Sequence, residues 1–170
     1  MALENNYVEC LVASKGSPLV KFFSYLSLAL AVIFFLSSIL TVLGIAGLIL
    51  CVAAGVVYYF LSLNANIEFE YQYCEREITV DKILNKSKRK NVGKFEVDHI
   101  EALAPTNSHH LDEFKNKTLK TMDFSARDKS RQPDPTYTFI YDGKERIIFE
   151  PTAEFVAAVK SVAPRKVFTD

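Results

Sequence analysis

Two adjacent histidines followed by two acids are the residues of this chain that most suggest a metal site. His109 and His110 precede Asp112 and Glu113, and imidazole with carboxylate is a common ligand set for transition metals. Adjacent side chains point to opposite faces of a strand and lie about 100° apart on a helix, and no further histidine has a diagnostic spacing. We therefore predict a polar surface loop and no metal. His99 is isolated in the sequence.

Residue types that serve in nucleophilic catalysis are present but not arranged in a known motif. No G-x-S-x-G turn or nucleophilic cysteine motif occurs. Cys10, Cys51 and Cys74 include no C-x-x-C pair, which indicates free thiols in a reducing compartment. Three of the six glycines lie in an apolar block, so little material is left for a phosphate-binding loop. We predict neither an enzyme nor a cofactor.

The densest charge in the chain is a run that we term the basic segment, Lys86, Lys88, Arg89 and Lys90. Each basic residue close to an anionic membrane surface contributes about 1 kcal/mol to binding, so these four residues form a candidate lipid-binding site. The alternative is a solvated hairpin whose charges prevent sheet edges from pairing with other chains.

The overall charge argues against nucleic acid as a partner. The chain has 20 Lys or Arg and 20 Asp or Glu among its 170 residues, so it lacks the positive excess of a nucleic-acid-binding protein. No charged residue occurs between Phe22 and Ile67. The charges thus divide the chain into a short polar head, an apolar block and a tail of mixed polarity.

The apolar block is long enough to cross a membrane twice. One crossing of a hydrocarbon core needs about 20 apolar residues. We predict two transmembrane helices at 19–40 and 43–63, which form a hairpin with its reversal near Thr41. A signal peptide has an apolar run of only about 7–15 residues, and a pair of helices buried in a soluble protein would need a much larger chain around it.

Basic residues near the span ends predict the orientation of the hairpin. Lys15 precedes the first span and Lys21 lies at its start, before its uncharged part. Arg76 and Lys82 follow the second span, whereas the reversal carries no charge. The positive-inside rule then places both termini in the cytoplasm and the chain in the cell membrane as a multi-pass protein.

Small residues recur along both spans at helical spacing. They are Ser24, Ser27, Ala31 and Ser38 on the first span, and Gly44, Gly47, Cys51 and Gly55 on the second. Small side chains let helices approach closely in lipid, so we predict that these faces pack the hairpin against itself. Homodimerisation through the second span is the alternative. Neither span holds the ionisable groups that transport pathways usually need, which argues against a transporter or channel acting alone.

The polar head contains apolar residues at helical spacing. Leu3, Tyr7 and Leu11 lie four residues apart, with Val8 and Val12 beside them. This pattern predicts an amphipathic helix within an interfacial segment of residues 1–18, ended by Gly16 and Pro18 and lying at the membrane surface or docked on the tail.

The tail, residues 67–165, predicts a β-rich cytoplasmic domain. Apolar residues alternate with polar ones from Ile67 to Tyr73, and Asp142-Gly143 separates two alternating runs, which is a strong hairpin signal. A terminal helix with Phe155 and Val159 on one face ends at Pro164. The fold class we predict is membrane α+β, with the helical hairpin followed by a small antiparallel barrel or sandwich of six or seven strands and a C-terminal helix.

The order of elements from Ile67 to about Val162 resembles the pleckstrin-homology-like fold, especially the bacterial pleckstrin-homology domains that follow two membrane spans. The whole chain is more similar still to an uncharacterised family of bacterial two-transmembrane-helix proteins. The segments that carry this similarity are Tyr7–Val12 and Ile78–Ile83. The chain departs from eukaryotic pleckstrin-homology domains in having no tryptophan, and its basic segment follows the second strand of the domain rather than the first. The resemblance implies an architecture and supplies no reaction.

The function that we predict is a membrane-anchored, non-enzymatic interaction or scaffold module with a protein partner. One alternative is recognition of anionic lipid headgroups by the β-rich domain. Another is an accessory subunit of a membrane enzyme or transporter.

Overall fold

The computed structural model describes residues 7–40, 44–128 and 130–169. They divide into two compact units. The helical unit comprises Lys15–Ile67 and Leu84–Lys88, and the β-domain comprises the chain up to Ser14, Glu68–Ile83 and the chain from Arg89 onward.

The helical unit is built on two apolar helices, α1 at Pro18–Ile39 and α2 at Gly44–Ala65. Each has 22 residues and is long and apolar enough to cross a membrane, by length and composition. Only 11% and 6% of their most apolar stretches are buried, unlike the core helices of a soluble protein. Two apolar helices close to the predicted positions are thus confirmed. The predicted reversal near Thr41 falls on residues 41–43, outside the described residues.

Four strands form the first sheet in the order β1-β2-β3-β4. They are β1 at Val8–Ser14, β2 at Ile67–Cys74, β3 at Glu77–Leu84 and β4 at Lys88–Glu96. Glu75 and Arg76 join β2 to β3 with φ of 48° and 69°, the left-handed pair of a two-residue hairpin turn. Alternation in β2 places Tyr71 and Tyr73 in the core.

The predicted N-terminal amphipathic helix is wrong over the described residues, because Val8–Ser14 forms strand β1. The segment carries two patterns, and the period-two pattern is the one that the fold uses. Cys10 is buried whereas Leu11 is 57% exposed. The Cys10 thiol donates to the Glu150 carbonyl over 3.7 Å, and burial raises its pKa. Pairing with β2 gives the backbone groups of this segment hydrogen-bond partners, whereas an isolated helix of this length is only marginally stable in water.

The second sheet has the order β5-β7-β8-β6. Its strands are β5 at Ile100–Pro105, β6 at Lys120–Asp123, β7 at Tyr137–Tyr141 and β8 at Glu145–Phe149. A 3-10 turn at Val97–His99 precedes β5, and a second at His109–Leu111 leads into the short helix α3 at Asp112–Lys115.

The predicted hairpin at Asp142-Gly143 is confirmed. Both residues have positive φ, 50° and 64°, and β7 pairs antiparallel with β8 from Tyr137↔Phe149 to Tyr141↔Glu145. The prediction of a purely antiparallel tail is wrong, because β6 pairs parallel with β8. In the order β5-β7-β8-β6, strand β8 lies between β6 and β7, so β6 is an edge strand although it precedes β7 in the chain.

Aromatic side chains from both sheets and the last helix form the core. Tyr71 contacts Phe149 edge-to-face with ring centroids 5.5 Å apart, and Phe95 contacts Phe139 at 5.2 Å. Helix α4 at Ala153–Val162 adds Phe155, which is fully buried. The β-domain is therefore made of two packed sheets and not the closed barrel that the sequence also allowed.

Candidate functional site

The structure spreads the basic segment over a turn and the start of β4. Lys86 lies in the turn after β3 with φ of 55°, and Lys88 places its ammonium 5.6 Å from the ring centroid of Tyr59. Arg89 and Lys90 follow on the strand, in the β-domain rather than the helical unit. All four basic side chains are exposed, but their surroundings differ.

Arg89 is engaged with two acids on neighbouring strands. Its guanidinium pairs with Glu70, whose side chain is 3% exposed, and lies 3.8 Å from the carboxylate of Asp81. Asn91 donates to Asp81 over 2.8 Å, and Gln72 donates to Glu70 over 2.6 Å. We term these five residues the acid–arginine network.

The acid–arginine network gives Arg89 a structural role. A buried carboxylate is stable in the charged form only when hydrogen bonds and an opposite charge compensate for lost hydration. Arg89 and Gln72 supply that compensation to Glu70. Arg89 is therefore less available to an external anion than Lys86 or Lys90, for which no ion pair occurs among the described residues.

The small-residue faces of the two spans lie between α1 and α2. Ser24, Ser27 and Ala31 are buried on α1, and Gly47 is buried on α2. Gly44, Cys51 and Gly55 are half-buried on the same face as Gly47.

Two side-chain hydrogen bonds link the helices at these faces. The Ser27 hydroxyl donates to the Ala54 carbonyl and the Ser38 hydroxyl to the Gly44 carbonyl, each over 2.8 Å. A methyl group at Gly55 would meet no atom within 4 Å, so close helix approach does not require glycine there.

The histidine pair lies on a surface turn. His110 stacks on Phe168 with ring centroids 3.7 Å apart and makes a tilted ring contact with His109 at 3.9 Å. Asp112 pairs with Lys115. In the part of the chain that the structure describes, no three His, Cys, Asp or Glu side chains are grouped as metal ligands.

His99 has neighbours that its isolation in the sequence did not indicate. Its Nδ1 lies 2.8 Å from a carboxylate oxygen of Asp142, and its Nε2 lies 3.8 Å from Glu96. The hydrogen bond to Asp142, then the negative charge of that group, raises the pKa of His99. Asp98 and Lys166 line the same open surface, which makes it an acidic patch with a protonatable centre.

A polar cavity of about 250 Å³ lies between the start of α1 and the end of α2. Sequence reasoning missed it. We term it the hairpin-base cavity, and its lining is Lys21, Ser24, Tyr25, Tyr58, Ser62, Ala65, Asn66 and Asn85. Polar residues recur at helical spacing at the start of the first span and at the end of the second, and this pattern could have indicated the cavity. The backbone at Gly16 lies close to the end of α2, and this approach requires glycine, since a methyl group there would lie 2.1 Å from the Ala65 carbonyl oxygen.

The chain has no significant match among curated proteins or among solved structures. The family model of the bacterial PH-like domain (DUF6106) matches residues 4–169, nearly the whole chain including both helices. A PH-like domain fits the β-sheets described above, and the matched residues also include the two apolar helices. The chain belongs to the bacterial PH-like domain family DUF6106.

Proposed function

We propose that this protein is a membrane-anchored, non-enzymatic interaction module. In this proposal the α1–α2 hairpin spans the cell membrane and the PH-like domain binds a protein partner at its surface. One observation carries the proposal: a single PH-like family model matches a stretch of the chain that includes two largely exposed apolar helices.

The surface of the helices supports insertion into a bilayer. Large apolar side chains are exposed along both of them, with Phe22 61% exposed, Ile33 55%, Ile49 65% and Phe60 60%. Contiguous apolar surface of this extent is costly in water, and it marks contact with membrane or partner. Backbone polar groups in these spans are satisfied within the helices, as the hydrocarbon core requires.

The distribution of basic residues supports a cytoplasmic location for both termini. Lys15 precedes α1, Lys21 lies in its first turn, and Arg76 and Lys82 follow α2, while the uncharged reversal would face the other side. A cysteine placed at position 42 in an otherwise cysteine-free chain should react with an impermeant maleimide added outside intact cells. Reaction only after the membrane is permeabilised would reverse the orientation.

Two measurements test the module itself. The chain should stay in the membrane fraction after alkaline carbonate extraction, and crosslinking in native membranes should yield one recurring protein partner. Release by carbonate would remove the anchor from the proposal. A specific turnover by the purified chain would remove the non-enzymatic assignment.

Recognition of anionic lipid by the basic segment is the second candidate. The exposure of Lys86 and Lys90 favours it, and Lys88 is available beside Tyr59. We expect Lys88→Ser with Lys90→Ser to weaken binding of the purified chain to anionic vesicles. Salt should weaken it as well, since surface attraction is screened within about 8 Å at physiological ionic strength. Unchanged binding by the double variant would exclude this candidate.

A further inference from the structure

The lining of the hairpin-base cavity includes several hydrogen-bond donors, and no carboxylate occurs among the described residues that form it. Lys21 supplies an ammonium, Ser24 a hydroxyl and Asn85 an amide. The Ser62 hydroxyl already donates to the Tyr59 carbonyl, and the Asn66 amide donates to the Asn85 side chain. Within the described part of the chain, Lys21 makes no ion pair. The composition therefore favours an anion with several acceptor oxygens.

Ser24 is the most informative side chain of the cavity. It is 5% exposed, yet its hydroxyl has no hydrogen-bond partner among residues 7–40, 44–128 and 130–169. Ser27, one turn further along α1, donates to a backbone carbonyl of α2. Among the described residues no fully buried side-chain oxygen lacks a partner, so the Ser24 hydroxyl keeps some accessible surface and is free to donate. A ligand oxygen in the cavity would satisfy it.

The size and charge of the cavity limit the ligand. Its volume of about 250 Å³ is below the roughly 300–1,000 Å³ of pockets for drug-sized molecules. One lysine with neutral donors matches a singly charged phosphodiester better than a headgroup with several phosphates, which would need several cations.

We propose that the hairpin-base cavity binds the phosphodiester of an anionic glycerophospholipid. This inference rests on the proposed membrane hairpin, in which the ends of α1 and α2 lie at the headgroup level. Tyr25 and Tyr58 are residues typical of that level. Leu28 and Val32 follow Tyr25 along α1 at helical spacing and are 41% and 51% exposed, so they offer an apolar surface to the acyl chains.

The test is lipid binding by the purified full-length chain in neutral detergent, followed by native mass spectrometry. Phosphatidylglycerol and phosphatidylcholine with identical acyl chains are added separately. We expect one phosphatidylglycerol per chain, at a concentration about tenfold below that needed for phosphatidylcholine. Lys21→Gln should abolish the preference, and Ser24→Ala should weaken it severalfold with the charge unchanged. Lys15→Gln is the matched control, since it removes the same charge close to α1 but outside the cavity.

Equal binding of the two lipids, or a Lys21→Gln chain that keeps the preference, would overturn the proposal. An equal loss in Lys15→Gln would do the same, because the effect would then be one of general charge. Displacement of phosphatidylglycerol by millimolar inorganic phosphate or glycerol 3-phosphate would refute the lipid assignment in favour of a soluble phosphate. Carbonate extraction reports on the anchor independently, so failure of the site and failure of the membrane hairpin are distinguishable.

Discussion

Removing the guanidinium of Arg89 tests whether the basic segment is a ligand site or part of the fold. Arg89→Ala would leave the carboxylates of Glu70 and Asp81 on adjacent strands without their cation. Glu70 is the more sensitive of the two, because its side chain is only 3% exposed. It would keep the hydrogen bond from Gln72 alone among those described.

The magnitude follows from the burial of each partner. Breaking a fully buried ion pair by removing one member costs about 3–5 kcal/mol. The Arg89 side chain is 55% exposed, and solvent screening on that side reduces the loss, as it does for surface pairs. We expect a loss of about 2 kcal/mol, which lowers Tm by roughly 5–10 °C for a domain of this size.

The assay is thermal unfolding of the full-length chain in detergent, followed by the near-ultraviolet circular dichroism of its tyrosines. The chain has eight tyrosines and no tryptophan, and Tyr71 and Tyr73 report on the strand that carries Glu70. Lys90→Ala is the matched control. Lys90 is exposed beside Arg89 on β4, and its loss should change stability by less than about 0.5 kcal/mol.

A double-mutant cycle isolates the pair from other effects. Glu70→Gln with Arg89→Ala removes both charges while keeping the shape of the buried side chain. The double variant should recover most of the stability lost in Arg89→Ala, since the more deeply buried charge is removed and Asp81 keeps its hydrogen bond from Asn91. Equal melting of Arg89→Ala and Lys90→Ala would refute the structural role, and Arg89 would return to the candidate lipid-binding residues.

Three further perturbations test particular contacts. Asp142→Asn should lower the pKa of His99, measured by proton NMR of the imidazole. In the wild type the raised pKa of His99 implies stabilisation that is present at acidic pH and lost as pH rises through that pKa, so an unchanged titration would exclude the hydrogen bond in solution. Lys86→Gly should raise thermal stability by about 1 kcal/mol, because φ of 55° strains any L side chain. Lys86→Ala should not, and equal melting of the two variants would contradict that reasoning. Glu150→Ala should lower the free energy of unfolding, measured with denaturant, by roughly 1–3 kcal/mol, because the Ala126 amide loses its acceptor at 2.8 Å. Glu150→Gln retains an acceptor oxygen. An equal loss of stability in both variants would show that the charge, not the hydrogen bond, matters.

Sequence by itself determined the elements whose signals are local. Two uncharged apolar runs specify α1 and α2, because a helix satisfies its own backbone and needs only length and composition to be recognised. Asp142-Gly143 specifies a hairpin, because both positions adopt positive φ. Pro164 is also a local signal: it predicts the end of α4 shortly before it, since proline cannot continue a helix.

Tertiary structure decided the features that depend on distant partners. Residues 8–14 carry helical and strand spacing together, and the place beside β2 selects the strand. Arg89 lies 19 residues from Glu70 in the chain, so its engagement with two buried acids follows only from the order β2-β3-β4. The hairpin-base cavity combines residues from α1, α2 and the turn after β3. Helical spacing can mark the polar residues of each segment, but it cannot show that they line one cavity, because the geometry of the cavity is set by where the segments meet.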